Sequence, residues 1–395
     1  MKALSAEDNK RLVNLRRRLH REAELSGQEY GTLKTLSKFL RKSRPDEVIP
    51  SLGGTGLAVV YKGTEPGPSV MLRADMDALP IHETNEMSYR SINEHVSHKC
   101  GHDGHMAMVA GVGLAMKYCR PVAGKVILLF QPAEETGHGA RQILDDPRFE
   151  RLRPDVVYGL HNLPRHPMHK LYLTDDTFAS ASCGITVELT GHPAHAGTPH
   201  TGVSPALAIG DLISGFNELS ARVSPDLIPL VTVVHIQVGE KAFGVAPGHG
   251  EISATLRSRT TEGMELLAEE AKKMAMEIAG QYDLEVATTL SDVFPSTQNH
   301  KAPTEKLKKA AEKSGIPHEF LQKPFSWSED FGHYLIDMPG SFFGLGAGED
   351  TPDLHSENYD FPDELIGTGV SLYLALLEEV TQLSACDGLF FNEPV

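Results

Sequence analysis

Two strand–helix rhythms, one interrupting the other, limit what this 395-residue chain can fold into. The first 45 residues read as two helices. Leu12, Leu15 and Leu19 repeat at helical spacing, as do Leu33, Leu36 and Leu40, and Ser5 with Asp8 forms a capping-box pattern. Short β-rich runs bounded by Gly and Pro follow at 56–63 and 69–77. A helical stretch at 103–118, a strand at 125–131, a helix at 135–144 and a strand at 156–160 come next. Strands alternating with helices predict an α/β layer on a largely parallel sheet. From Cys183 the order becomes strand, helix (204–223), two strands (230–239 and 251–260), helix (262–281) and a final strand. That β-α-β-β-α-β order is the one found in ferredoxin-like α+β domains. The first rhythm resumes after Pro295, with helices at 303–314, 329–336 and 362–384 and a strand at 341–345. The expectation is a larger α/β domain, 1–182 with 296–395, interrupted by a small domain at 183–295.

Charge and composition remove several function classes. Lys+Arg number 37 against 53 Asp+Glu, a net charge of −16 with no basic stripe, so nucleic acid is not an expected partner. No run of 18 apolar residues exists to span a membrane. The N-terminal 20 residues lack an apolar core and a small-residue cleavage site, which predicts a cytoplasmic protein. Four cysteines are too few for a disulfide scaffold; Cys119, Cys183 and Cys386 are expected as packing or surface residues.

Histidine is the anomaly. Of 19, 12 fall between His82 and His200, and histidine is both the commonest metal ligand and the usual proton carrier near neutral pH. In HKCGHDGH (98–105), Cys100 and His102 are too close in sequence to share one face of a helix. In a turn entering a helix they can converge as a metal-ligand pair; the string alone also reads as a polar cap with a buried thiol. In LLFQPAEETGHGA (128–140), Glu134 and Glu135 follow an apolar strand, where open α/β sheets place their sites. They would equally suit the first turn of a helix. His161 ends a buried-looking strand, and His355 lies in LHSENYDFP near the C-terminus. Together Cys100, His102, Glu135, His161 and His355 are five potential ligands, with Glu134 left over as a base. Five exceed the needs of one tetrahedral catalytic zinc, whereas two metals about 3.5–4 Å apart can share them.

The strings RADMDALP, HKCGHDGHMAMVAG, FQPAEE, GLHN, AHAGTPH and SWSEDF, in this order across nearly the whole chain, resemble the di-metal amidohydrolases. These include hippurate hydrolase, bacterial N-acyl-amino-acid amidohydrolases and plant auxin-conjugate hydrolases, a branch of the aminoacylase/carboxypeptidase metallopeptidases. The resemblance implies hydrolysis of a small N-acyl amino acid, with a dipeptidase or carboxypeptidase of the same fold as the alternative. A metal-bound binding protein without turnover is a third reading, which the spare Glu134 disfavours. It implies two divalent metal ions, zinc first, with manganese, cobalt or nickel also fitting such donors. Cys100 would bridge them, and His102, Glu135, His161 and His355 would complete their shells. Glu134 would be the general base acting on a metal-activated water, and Asp77 would orient a ligating histidine. Asp75 stands where the carboxypeptidase branch has a histidine. The inserted domain would be a lid that also dimerises, with His195 polarising the scissile carbonyl. Asn299 would lie near the substrate, followed by His300 where the family has an acidic residue. Trp327, in SWSEDF, reads equally as a packed aromatic or a substrate contact.

Overall fold

The computed structural model describes residues 5–384, and they divide into two compact units. One comprises the chain to Phe178, Gln298–Lys323 and the part from Asp330; the other comprises Ala179–Thr297 and Pro324–Glu329.

The first unit begins with α1 (Ala6–Arg21), whose Ser5 hydroxyl accepts from the Asp8 N–H at 3.1 Å, as the capping pattern predicts. Leu12, Leu15 and Leu19 are buried. Then come α2 (Tyr30–Leu40), β1 (Glu47–Leu52), β2 (Gly56–Lys62), β3 (Glu65–Asp75) and α3 (His102–Ala115). β4 (Ala123–Gln131), α4 (Gly139–Asp145), β5 (Val156–Leu163) and β6 (Leu171–Leu173) complete its first part. α3 is buried on every side, which its run of Ala, Gly, Met and Val permits.

The second unit follows as β7 (Ala181–Thr190), β8 (Ala194–His195), α5 (Ala206–Leu219), β9 (Leu230–Val238), β10 (Val245–Ala246), β11 (His249–Ser258), α6 (Thr261–Gln281) and β12 (Glu285–Phe294). Its sheet is antiparallel throughout, in the order β12-β7-β11-β9. Alternate residues of β7 and β11 face a core made with α5 and α6, including Val187, Leu189, Ile252, Leu256, Phe216 and Leu267. β8 and β10 form a separate two-stranded ribbon.

The chain re-enters the first unit with α7 (Lys301–Ser314), β13 (His318–Phe320), α8 (Gly332–Asp337), β14 (Gly340–Gly346) and α9 (Leu365–Thr381). The eight-stranded sheet runs β1-β2-β4-β3-β5-β14-β6-β13. The expectation of a largely parallel sheet holds at its centre, within a mixed sheet: β4, β3, β5 and β14 are parallel, as are β6 and β13, but β1, β2 and β4 pair antiparallel, as do β14 and β6. The first two strands form a hairpin across Gly53 and Gly54, and a two-strand hairpin is necessarily antiparallel. The parallel centre matters for function, because it aligns the carboxyl ends of β3, β4 and β5 at one edge. The disulfide expectation also changes. Cys119 is disulfide-bonded, Cys183 is a buried free cysteine, and Cys386 lies outside the described residues.

Candidate metal centre

Each carboxyl end in the parallel centre delivers part of one cluster. β3 ends at Asp75, two residues before Asp77; β4 leads into Glu134 and Glu135; β5 carries His161. Cys100 precedes α3 and His102 is its first residue. Between them Gly101 has φ +93°, and a Cβ there would collide with the Asn162 amide. Glycine therefore lets thiol and imidazole converge where a regular helix would separate them. Glu134 and Glu135 do not open a helix, as the sequence suggested. They lie in a turn, preceded by Ala133 at φ +51° and stapled by Gly137 N–H to Glu134 O and Gly139 N–H to Ala133 O, and α4 starts only at Gly139. His355 sits in the loop after β14 at φ +64°, where its N–H donates to Lys99 O at 2.8 Å and so tethers it beside Cys100. Non-glycine residues in this region of backbone space cluster at functional sites.

The donor atoms group in threes. Those of Cys100, His102 and His161 lie within 4.8 Å of one another, as do those of Cys100, Glu135 and His355. Cys100 belongs to both sets. His102, Glu134 and Glu135 form a third set, with Glu134 Oε2 4.0 Å from His102 Nε2. The ring orientations suit ligation. His102 donates Nδ1–H to the Asp77 carbonyl at 3.0 Å, with an Asp77 carboxylate oxygen at 3.5 Å, which turns Nε2 into the cluster. His161 donates Nδ1–H to Asn162 O at 2.9 Å and aims Nε2 at Cys100 Sγ, 3.3 Å away. Fixing one ring nitrogen by an outer hydrogen bond and offering the other is how protein imidazoles are prepared for metals.

A cation fits what these residues lack. His102 Nε2 and Glu135 Oε1 are buried without a hydrogen-bond partner, an arrangement that costs free energy unless something else engages them. Charge points the same way. Burial works to lower His102, but Asp75, Asp77 and Glu135 outweigh it and lift the imidazole to about 10. Burial, with help from Asp77 and Asp75, pushes Glu135 up to about 7. Burial and the carboxylates of Glu135, Glu134 and Asp75 hold the Cys100 thiol well above its ordinary range. Burial holds His161 well below its own, as a neutral imidazole. Without added positive charge, such a cluster keeps protons on its would-be ligands; divalent cations displace them.

Two other motif histidines have different fates. His105, to which the motif reading assigns no role, is wedged between Asp75 Oδ1 at 2.6 Å and Asn162 Oδ1 at 2.5 Å. Asp75, also contacted by Arg73 at 2.6 Å, thus holds one side of the cluster in place. Only the fold reveals this, because His105 is three residues along α3 and Asn162 is on β5. His195, in the second unit, is exposed; its Nδ1 accepts from Gly197 N–H at 2.9 Å, which leaves the proton on Nε2. Asn299 departs from the expectation of a substrate contact. It is buried, and its amide donates to Thr174 O and Phe342 O and accepts from Phe342 N–H, so no donor remains for a ligand. His300 accepts from Gly340 N–H at 3.3 Å. Trp327 stacks on Phe325 with centroids 5.1 Å apart.

Comparison with known proteins shows the family. Residues 71–379 match Peptidase family M20/M25/M40, and the chain belongs to that family. It is 32% identical to the hippurate hydrolase of Campylobacter jejuni, over 92% of this chain and 94% of that protein. It is 30% identical to an N-acetylcysteine deacetylase of Bacillus subtilis, over 93% of this chain and 96% of that one. A solved dinuclear metal binding peptidase of the M20 family, also from Bacillus subtilis, superposes with a TM-score of 0.81 at 27% identity, covering 95% of this chain and 98% of that structure.

Proposed function

We propose that the protein is a metal-dependent amidohydrolase that cleaves the amide bond of N-acyl amino acids bearing acetyl, benzoyl or similar groups. The observation that carries this reading is the place of Cys100 in two donor triads, with Glu134 beside them. The relatives named for hippurate and N-acetylcysteine support the substrate class. Two divalent ions held by Cys100, His102, Glu135, His161 and His355 would supply Lewis-acid polarisation and a water that ionises near neutral pH. Zinc suits this donor set first, and manganese, cobalt or nickel are the alternatives.

Glu134 is then the general base. It takes the proton of the attacking water and returns it to the leaving amine nitrogen. The Asp330 N–H at 3.4 Å from Oε1 helps to aim it. Asp77 acts through His102, whose ring it orients. His195, as a neutral Nε2–H donor, hydrogen-bonds the carbonyl oxygen as negative charge develops there. The second unit, 183–295 by sequence, is read as a ferredoxin-like lid that also forms a homodimer. Its edge strand β9 leaves Leu230, Val234 and Ile236 exposed, which supports such pairing. The compartment proposed is the cytoplasm; among the described residues no helix is long and apolar enough to cross a membrane.

The test is metal analysis coupled to turnover of a panel of N-acetyl-, N-benzoyl- and dipeptide substrates. Release of free amino acid from the N-acyl members, abolished by a chelator, is the expected result. Cleavage confined to dipeptides would overturn the substrate class, and chelator-resistant turnover would overturn the mechanism. Sedimentation as a strict monomer with full activity would remove the dimer.

A further inference from the structure

Residues 24–29, between α1 and α2, have no part in the mechanism above, yet they touch both loops that carry its acidic groups. Glu29 is fully buried at the N-cap position of α2, but its side chain does not cap that helix. Glu24 does so instead, accepting from Gly31 N–H at 2.9 Å and Thr32 N–H at 2.8 Å. The Glu29 carboxylate is thereby released for other partners. Oε1 accepts from Gly27 N–H and from Ala133 N–H, both at 2.9 Å, and Oε2 accepts from the Thr55 hydroxyl at 2.5 Å.

Ala133 is the residue that must hold φ +51° for the turn to present Glu134 and Glu135. A β-carbon residue stays there only when its surroundings over-determine it. Glu29 fixes its N–H. Two residues on, Glu135 N–H donates to Asp77 Oδ2 at 3.0 Å, and the same oxygen accepts from the Ser26 hydroxyl at 2.7 Å. One short segment therefore pins the turn at both ends, directly at Ala133 and through Asp77 at Glu135. We propose that Glu29, with Ser26, is a positioning device that sets the Ala133–Glu135 turn and so aims Glu134 as base and Glu135 as ligand. The inference rests on the reading of those two glutamates given above.

What the geometry requires of residue 29 is acceptor oxygen, not charge. Glutamine can keep its amide oxygen toward Ala133 and Gly27 and turn its NH₂ toward the Thr55 hydroxyl, which can accept. Alanine strands two backbone donors and frees the turn. The experiment compares full-length Glu29→Ala and Glu29→Gln proteins by titration of metal-free protein with Zn²⁺, and by kcat and KM at saturating Zn²⁺. Glu29→Ala is expected to lose about 10–100-fold in Zn²⁺ affinity, the usual effect of removing an outer partner of a ligand. It should lose kcat by a similar factor with KM nearly unchanged. Glu29→Gln should stay close to wild type in both. A staple needed only for folding would lower thermal stability and leave Zn²⁺ affinity and kcat of the folded protein intact; that result overturns the proposal, as does a Glu29→Gln as impaired as Glu29→Ala. Should Glu29→Ala not fold, Ser26→Ala decides: a loss of about two- to tenfold in Zn²⁺ affinity, from one missing hydrogen bond, supports the brace, and wild-type affinity refutes it. If wild-type protein binds zinc but hydrolyses no N-acyl amino acid, the functional reading fails while the zinc titration still decides the brace.

Discussion

Two buried polar clusters lie near each other in the first unit, and they are built on opposite principles. In the cluster at α1, each buried cation meets a carboxylate. Arg16 meets Asp360 and Asp363 at 2.9 Å and Asp103 at 3.4 Å, His20 lies 2.9 Å from both Glu83 and Asp103, and Lys99 lies 2.6 Å from Glu83. Around Cys100 the balance fails. Asp75 has Arg73, but the ion pairs of Asp77 and Glu135 among the described residues are with histidines, and His102 Nε2 and Glu135 Oε1 have no hydrogen-bond partner. The first cluster is neutralised by protein cations and joins α1 to the segment that follows His355. The second, on the function proposed above, is completed by cations. Burial alone does not mark a functional site; what separates these two clusters is where the compensating positive charge comes from.

The largest expected effect comes from removing the residue the two triads share. Cys100→Ala should bring bound metal below about two ions per chain and abolish turnover, read by elemental analysis and an amidase assay. Undiminished metal and activity would erase the contrast between the clusters. Next in size is the division between the adjacent carboxylates. Glu134→Gln should retain metal and lose about 10²–10⁴ in kcat, the usual worth of a general base. Glu135→Gln should weaken metal binding itself. Identical metal titrations for the two variants would refute the separate roles.

The balanced cluster should fail in a different way. Arg16→Met leaves buried Asp103 with His20 alone and takes an ion-pair partner from Asp360 and Asp363, and breaking a buried ion pair from one side typically costs about 3–5 kcal/mol. Urea unfolding should show that loss while metal content stays unchanged; a lost metal site would mean that the clusters are not independent. A smaller effect is set by pH. Against the opposing effect of burial, Asp103 and Glu83 raise His20 to about 9, and His20 with Lys99 lowers Glu83 to about 2. The raised histidine contributes stability that is full below its unfolded value near 6.5 and fades as pH climbs through about 9. The lowered glutamate contributes stability that is present above about 4.5 and fades as pH falls toward 2. Both express one attraction, counted once, worth on the order of 3 kcal/mol. Metal-free protein should therefore lose stability between pH 6.5 and 9, and His20→Gln should make that limb shallower, leaving the share of His102, which is raised to about 10. Equal slopes in the two proteins would show that His20 is not held as an imidazolium.

The same contrast explains what could be read before folding. Cys100, His102, Glu135, His161 and His355 were legible because each sits in a short string whose residue types have few other uses together. Strands β2, β4 and β5 were legible as apolar runs with clear ends. Strand β1 was not, since EVIPSL contains a proline and a polar residue, and the three-residue strands β6 and β13 carry too short a pattern to register. The helical start expected at Glu135 was an error of local chemistry. Acidic residues after a strand suit a helix's first turn, but Ala133 in the left-handed region and the Glu29 carboxylate hold a turn there instead. His105, Asn162, Arg16 and Glu29 were silent because the partners that give them their places, Asp75 and Asn162 for His105, Asp363 for Arg16 and Ala133 for Glu29, are 30 to 347 residues away, and nothing in a linear pattern pairs them. Asn299 misled for the converse reason: its motif is visible, but the fold commits its amide to backbone.

The central claim, that the acidic cluster is completed by two cations sharing Cys100, is tested most directly by counting ions. Metal-free protein reloaded with Zn²⁺, dialysed and analysed for zinc per chain should hold two, and the Cys100→Ala protein fewer. One zinc or none in correctly folded wild-type protein would contradict the account.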